Sequence, residues 1–324
     1  KLCGVFSTFW FWTVIYASQY ASAVPLSTGW EYFKIGAGQA AADAPLIWLL
    51  AAGGFLFLCL RSKHRGIQGM TPGSHHDPLQ PARRHLIPGT LAGAAAVCAG
   101  FMFRGQYFIL LAGFAWEKLL GFLAPLSGKL RLAAATTIAA TAFGALLEPF
   151  LLGMLRTPNQ ICRVAYGMNP FPEAPVVAQY LREHTKPHDR VAVLGSEPEI
   201  YFLADRRPAS PYLYVYEMMK PHSRARQMQE ETIRSIATAR PTFLVVVDVP
   251  TSWGIGRDSG LALLSWLDAF TRNHYTLEGV LDLVTEDRTI VRWGEAARAH
   301  QTQSPYTIRI YKRTNGQAFP KPET

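Results

Sequence analysis

The sequence predicts a multi-span α-helical membrane domain of about five helices followed by an α/β domain with a mixed sheet. Three observations point there. Apolar stretches near 20 residues long recur up to Gly153, and charge is scarce among them. Residues 1–153 carry 11 Lys/Arg and 5 Asp/Glu, of 32 and 23 in the whole chain. Beyond residue 158, short β-branched runs alternate with amphipathic helical patterns, as strands and helices of one layered domain do. The mean hydropathy of +0.07 averages over two populations. The expected boundaries are 1–157 for the membrane part, 158–314 for the α/β domain and 315–324 for a tail.

The spans follow from the roughly 20 residues that a helix needs to cross a bilayer. The candidates are 3–23, 45–60, 86–103, 107–125 and 132–153. The first is long and aromatic (Phe6, Phe9, Trp10, Phe11, Trp12, Tyr16, Tyr20), unlike the short core of a cleavable signal peptide. It starts almost at Lys1, so the chain reads as a fragment of a larger bundle. The fourth contains Glu117 and Lys118, which read either as functional intramembrane charges or as an early exit into an interfacial segment.

Loop charges orient these spans. Arg61, Lys63, Arg65, Arg83 and Arg84 face one Asp77, a cytoplasmic pattern, and Lys129 and Arg131 join them. The loop at 25–44 holds only Glu31, Lys34 and Asp43, as an outer loop should. This places the domain after Met154 outside.

The α/β elements are read in order. A proline-rich linker at 169–175 precedes a helix with Val177, Tyr180, Leu181 and His184 on one face, where His184 reads as a partly buried member. A strand is expected at 190–194. Ser196-Glu197-Pro198-Glu199 then opens a helix, either as a carboxylate pair for sugar binding or proton transfer, or as a capping box with Ser196 at N-cap and Glu199 at N3. The two readings are compatible. A helix at 223–239, a strand at 242–248, a helix at 260–272 and strands near 275–283, 288–293 and 306–312 complete the domain. Gly254, Gly256 and Gly260 lack the spacing of a dinucleotide loop.

Several function classes are excluded. The net charge of +9 fits basic loops against anionic lipid head groups, and no basic stripe interleaved with aromatics marks a nucleic-acid partner. Cys3, Cys59, Cys98 and Cys162 form neither a disulfide framework nor a CxxC metal pair. No cofactor is expected, and a divalent metal is left open. Five spans without internal repeats argue against a transporter.

One turn stands out, Phe103-Arg104-Gly105-Gln106-Tyr107-Phe108. The Arg104 fork suits a phosphate, with Gln106 and Tyr107 as neutral donors beside it. An arginine snorkelling from a helix end within an aromatic belt explains the same residues.

Here the chain resembles a family. Phe11-Trp-Thr-Val-Ile-Tyr-Ala17, Phe103-Arg-Gly-Gln-Tyr-Phe-Ile-Leu110 and Val191-Ala-Val-Leu-Gly-Ser-Glu-Pro-Glu-Ile-Tyr201 look like bacterial membrane glycosyltransferases of the GT-C class, the dolichyl-phosphate-mannose-protein mannosyltransferase-like proteins. Ala204-Asp-Arg-Arg-Pro-Ala-Ser210, Tyr212 and Met228-Gln-Glu-Glu231 extend the match. The resemblance implies an integral protein of the bacterial inner membrane, with its C-terminal domain extracytoplasmic. It would transfer a sugar from a polyprenyl-phosphate carrier to an acceptor, with membrane lipids as further partners. Arg104, Gln106 and Tyr107 would then meet the lipid phosphate, with Glu197 and Glu199 on the acceptor side. The family's turn usually has histidine where this chain has Gln106, which removes a proton carrier. The catalytic acidic residues are expected upstream of residue 1. The alternative is a non-catalytic, membrane-anchored α/β domain that binds a glycan or protein partner.

Overall fold

A computed structural model describes residues 4–21, 24–43, 45, 48–49, 91–98, 101–103, 105–108 and 127–314. The chain divides into two units, Lys1–Leu152 and Gly153–Thr324.

In the first unit, residues 6–21 are helical but change hydrogen-bond pattern twice. α1 (Phe6–Trp10) passes through a π-helical turn (Phe11–Tyr16) into α2 (Ala17–Ala21). Where the loop charges predicted an outer loop, the chain forms α3 (Leu26–Asp43). Its sequence explains why. Ala, Gln, Glu and Lys favour helix, Lys34 pairs with Glu31 one turn away at 2.7 Å, and Trp30 stacks on Phe33. Gly36 lets residues 101–103 lie close, because a Cβ there would come within 2.0 Å of the Phe103 carbonyl oxygen. Val97, Phe103 and Phe108 form the buried centre, with Phe33, Trp48 and Tyr107 packed around it. α4 (Gly128–Leu155) overlaps the predicted last span. It is one continuous helix of 28 residues.

Among the described residues, no helix is long and apolar enough to cross a membrane. That overturns the predicted multi-span membrane domain of five helices, its transmembrane assignment and the integral inner-membrane location. The orientation drawn from loop charge has no described span to rest on. The predicted spans 45–60 and 107–125, Glu117, Lys118 and the basic loop 61–85 lie almost entirely outside the described residues.

The second unit opens with α5 (Pro158–Tyr166), started by a capping box that the sequence reading missed. Thr157 Oγ1 accepts from Gln160 N at 3.3 Å, and Gln160 Oε1 accepts from Thr157 N at 2.9 Å. After the proline-rich turns comes α6 (Ala174–His184), whose buried face is Val177 and Leu181. His184 is exposed and stacks on Tyr180, with ring centroids 3.9 Å apart.

The sheet has six strands: β1 (Arg190–Leu194), β2 (Arg207–Pro208), β3 (Phe243–Asp248), β4 (Tyr275–Thr285), β5 (Arg288–Trp293) and β6 (Thr307–Arg313). Their order is β2-β1-β3-β6-β4-β5. β1 is parallel to β2 and β3, whereas β6, β4 and β5 pair antiparallel, which makes the sheet mixed. Phe243 through Val247 are all buried, as expected of a central strand covered on both faces. One face packs Val193, Val245, Val247, Ile308 and Ile310 against α6 and against Ile200 and Tyr201 of α7 (Glu199–Ala204). Elsewhere α8 (Ala225–Ala239) touches α10 (Ala262–His274), which also touches β4. Between β3 and α10 lies the short α9 (Pro250–Trp253), and α11 (Gly294–Arg298) follows β5.

Candidate functional site

The order of the parallel strands selects one place. From β1 the chain crosses to β2 on one side, then returns to β3 on the other. Loops leaving β1 and β3 therefore diverge at their carboxyl ends and open a crevice, where open α/β sheets bind ligands. The Ser196–Glu199 run follows β1 there, and Val249–Trp253 follows β3.

The two loops are tied by a hydroxyl. Ser252 Oγ accepts from Ser196 N at 2.8 Å and donates to Glu197 Oε2 at 2.9 Å. Gly195 makes this possible: a Cβ there would lie 2.2 Å from Glu197 Oε2 and 2.9 Å from Val247 Cβ. Glu197 is only 5% exposed. Burial pushes its carboxyl up to about 7; the Ser252 hydrogen bond opposes the rise and the nearby Glu199 charge adds to it. Glu199 is half-buried and likewise raised by burial, and its Oε1 is buried with no hydrogen-bond partner.

The predicted capping box is absent. α7 begins at Glu199 with Pro198 at its N-cap and no side-chain cap. The Ser196 hydroxyl instead accepts from Tyr216 N at 3.2 Å, while Val215 N donates to the Gly195 carbonyl at 3.3 Å. These bonds bring the 211–219 loop to the crevice, with Tyr214 about half exposed and Leu213 beside it. Lys220 Nζ donates to the Gly254 carbonyl at 3.1 Å and lies 4.2 Å from the Tyr216 ring centroid. Gly254 ends α9 at φ +60, so it serves as a helix stop rather than a phosphate loop.

The lipid-phosphate residues predicted from the sequence belong to the first unit. Arg104 lies outside the described residues. Gln106 and Tyr107 fall in a 3-10 turn (Gly105–Phe108), where Tyr107 is half-buried against the Val97, Phe103 and Phe108 cluster. Among the described residues, no group of three His, Cys, Asp or Glu side chains could hold a metal ion.

No known protein family, curated protein or solved structure matches this chain. The resemblance to membrane glycosyltransferases therefore rests on its motif residues.

Sequence reasoning found Glu197 and Glu199 but missed Ser252 and the Tyr216 loop. The available signal was positional. Pro250-Thr-Ser-Trp253 follows the second parallel strand, as Gly195-Ser-Glu-Pro198 follows the first.

Proposed function

We propose that this chain handles the acceptor in a glycosyl transfer that draws its sugar from a polyprenyl-phosphate carrier. In this reading the crevice beyond β1 and β3 receives an acceptor hydroxyl. The observation that carries it is the Glu197 carboxyl, buried at the switch point between parallel strands and raised to about 7. A general base works best with a pKa near the operating pH, so this carboxyl suits accepting a proton from a sugar hydroxyl. Ser252 holds one of its oxygens. The half-exposed Tyr214 ring supplies an aromatic face against which the C–H face of a pyranose can pack. The motif resemblance alone supplies the donor class, and with it the assignment of Arg104, Gln106 and Tyr107 to the carrier phosphate.

Saturation-transfer NMR tests this reading on the full chain, using neutral oligosaccharides and a short-chain polyprenyl-phosphate hexose. The expected result is saturation of pyranose protons, diminished by Glu197→Gln. If no glycan receives saturation, the reading is wrong.

A further inference from the structure

A second groove lies along the other side of β1. It has a volume of about 680 Å³ and is lined by Arg190, Arg207 and Arg234, with Pro208, Ser235 and Thr238 between them. Arg190 and Arg207 are register partners on adjacent parallel strands, so both side chains leave the same face of the sheet. Arg234 and Thr238, one turn apart on α8, close the opposite wall.

No carboxylate lines this groove. Arg190 donates to the Pro208 carbonyl at 3.1 Å, and none of the three arginines forms an ion pair among the described residues. Glu231 lies within electrostatic reach of Arg234, but it is already held by Tyr212 and Gln227 and does not line the groove. The C-terminal turn of α8 offsets only about half a positive charge. At least two positive charges remain unneutralised in a groove large enough for a small ligand.

We propose that this groove binds a phosphate-bearing ligand, with the guanidinium forks of Arg207 and Arg234 gripping its oxygens from opposite walls. A phosphate dianion, or a pyrophosphate with roughly two to three negative charges near neutral pH, matches the surplus charge, whereas a single carboxylate leaves much of it uncompensated. Guanidinium forks also suit paired phosphate oxygens. The proposal is independent of the glycosyl reading and concerns the opposite flank of β1.

The test is calorimetric titration of the full chain with pyrophosphate and with acetate at matched ionic strength. Pyrophosphate should bind saturably and acetate should not. Arg207→Gln combined with Arg234→Gln should weaken pyrophosphate by about tenfold or more for each fork removed. Arg226→Gln with Arg257→Gln, at the same net charge, should leave affinity unchanged. Arg207→Lys combined with Arg234→Lys keeps the charge without the forks and should fall between. Vesicles of phosphatidylcholine with phosphatidic acid identify the source. Co-sedimentation that pyrophosphate competes away assigns a lipid headgroup, and pyrophosphate binding without co-sedimentation assigns a soluble phosphate ester. Absence of pyrophosphate binding, equal loss in both glutamine pairs, or acetate bound as tightly as pyrophosphate overturns the proposal.

Discussion

Glu197→Gln should change how the stability of the α/β unit depends on pH. The folded carboxyl is raised from its ordinary 4.5 to about 7, so the native state holds its proton more tightly than the unfolded chain does. The sign follows. The group costs nothing below about pH 4.5, an increasing penalty accumulates from there to about pH 7, and the penalty is constant above that. Each tenfold change in proton concentration across that window is worth about 1.4 kcal/mol, giving a total near 3 kcal/mol. Glutamine keeps the shape, accepts from Ser252 and cannot ionise. The variant should match the wild type at pH 4.5 within about 1 kcal/mol, and at pH 8 should exceed it by roughly 2–3 kcal/mol. Urea-dependent hydrogen exchange of the β1 and β3 segments reads the opening free energy of this unit in the full chain. A difference between variant and wild type that stays flat from pH 4.5 to 8 would refute a buried carboxyl of raised pKa.

Three further outcomes follow from the same geometry. Ser252→Ala removes the donor to Glu197 and the acceptor of Ser196 N, so NMR titration should show Glu197 rising above 7. Urea unfolding should show a loss of about 1–3 kcal/mol for the same variant. Gly195→Ala forces a Cβ to within 2.9 Å of Val247 Cβ as well as against Glu197, and should cost about 1–3 kcal/mol by urea unfolding, with the Glu197 titration displaced. Arg163→Met strands the buried Glu173, its partner at 2.5 Å. Thermal unfolding at neutral pH should show a destabilisation of about 3–5 kcal/mol, partly relieved by adding Glu173→Gln.

The α/β unit was largely legible because its signals are local. The Phe243–Val247 run and the alternation of Thr307–Arg313 each impose a strand whatever surrounds them. β2 escaped notice because two residues with a proline carry no periodicity, and only pairing with β1 makes Arg207–Pro208 a strand. Ser196 fitted an N-cap by spacing alone. Its hydroxyl instead accepts from Tyr216 N, a partner from another loop that its own neighbours do not reveal. The first unit misled for a different reason. An apolar aromatic run such as Phe6–Tyr16 has the same composition in a bilayer or in a protein helix, and composition does not reveal the switch from α to π geometry. Assigning residues 25–44 to a loop followed from counting spans, although Ala, Gln and the Glu31–Lys34 pair favoured the helix that forms.

The site was half legible for the same physical reason. Acidic residues after an apolar strand can be seen in sequence, so Glu197 and Glu199 were found. Burial and a hydroxyl from a loop 55 residues away set the chemistry of Glu197, and neither is visible in its neighbours.

The most direct measurement of the central claim is glycan affinity of the full chain between pH 5.5 and 8.5, for wild type and Glu197→Gln. If the ionised carboxylate holds an acceptor hydroxyl, wild-type affinity should rise as pH passes about 7, while the variant binds more weakly and without that rise. Affinity that is independent of pH and equal in the two proteins would contradict it.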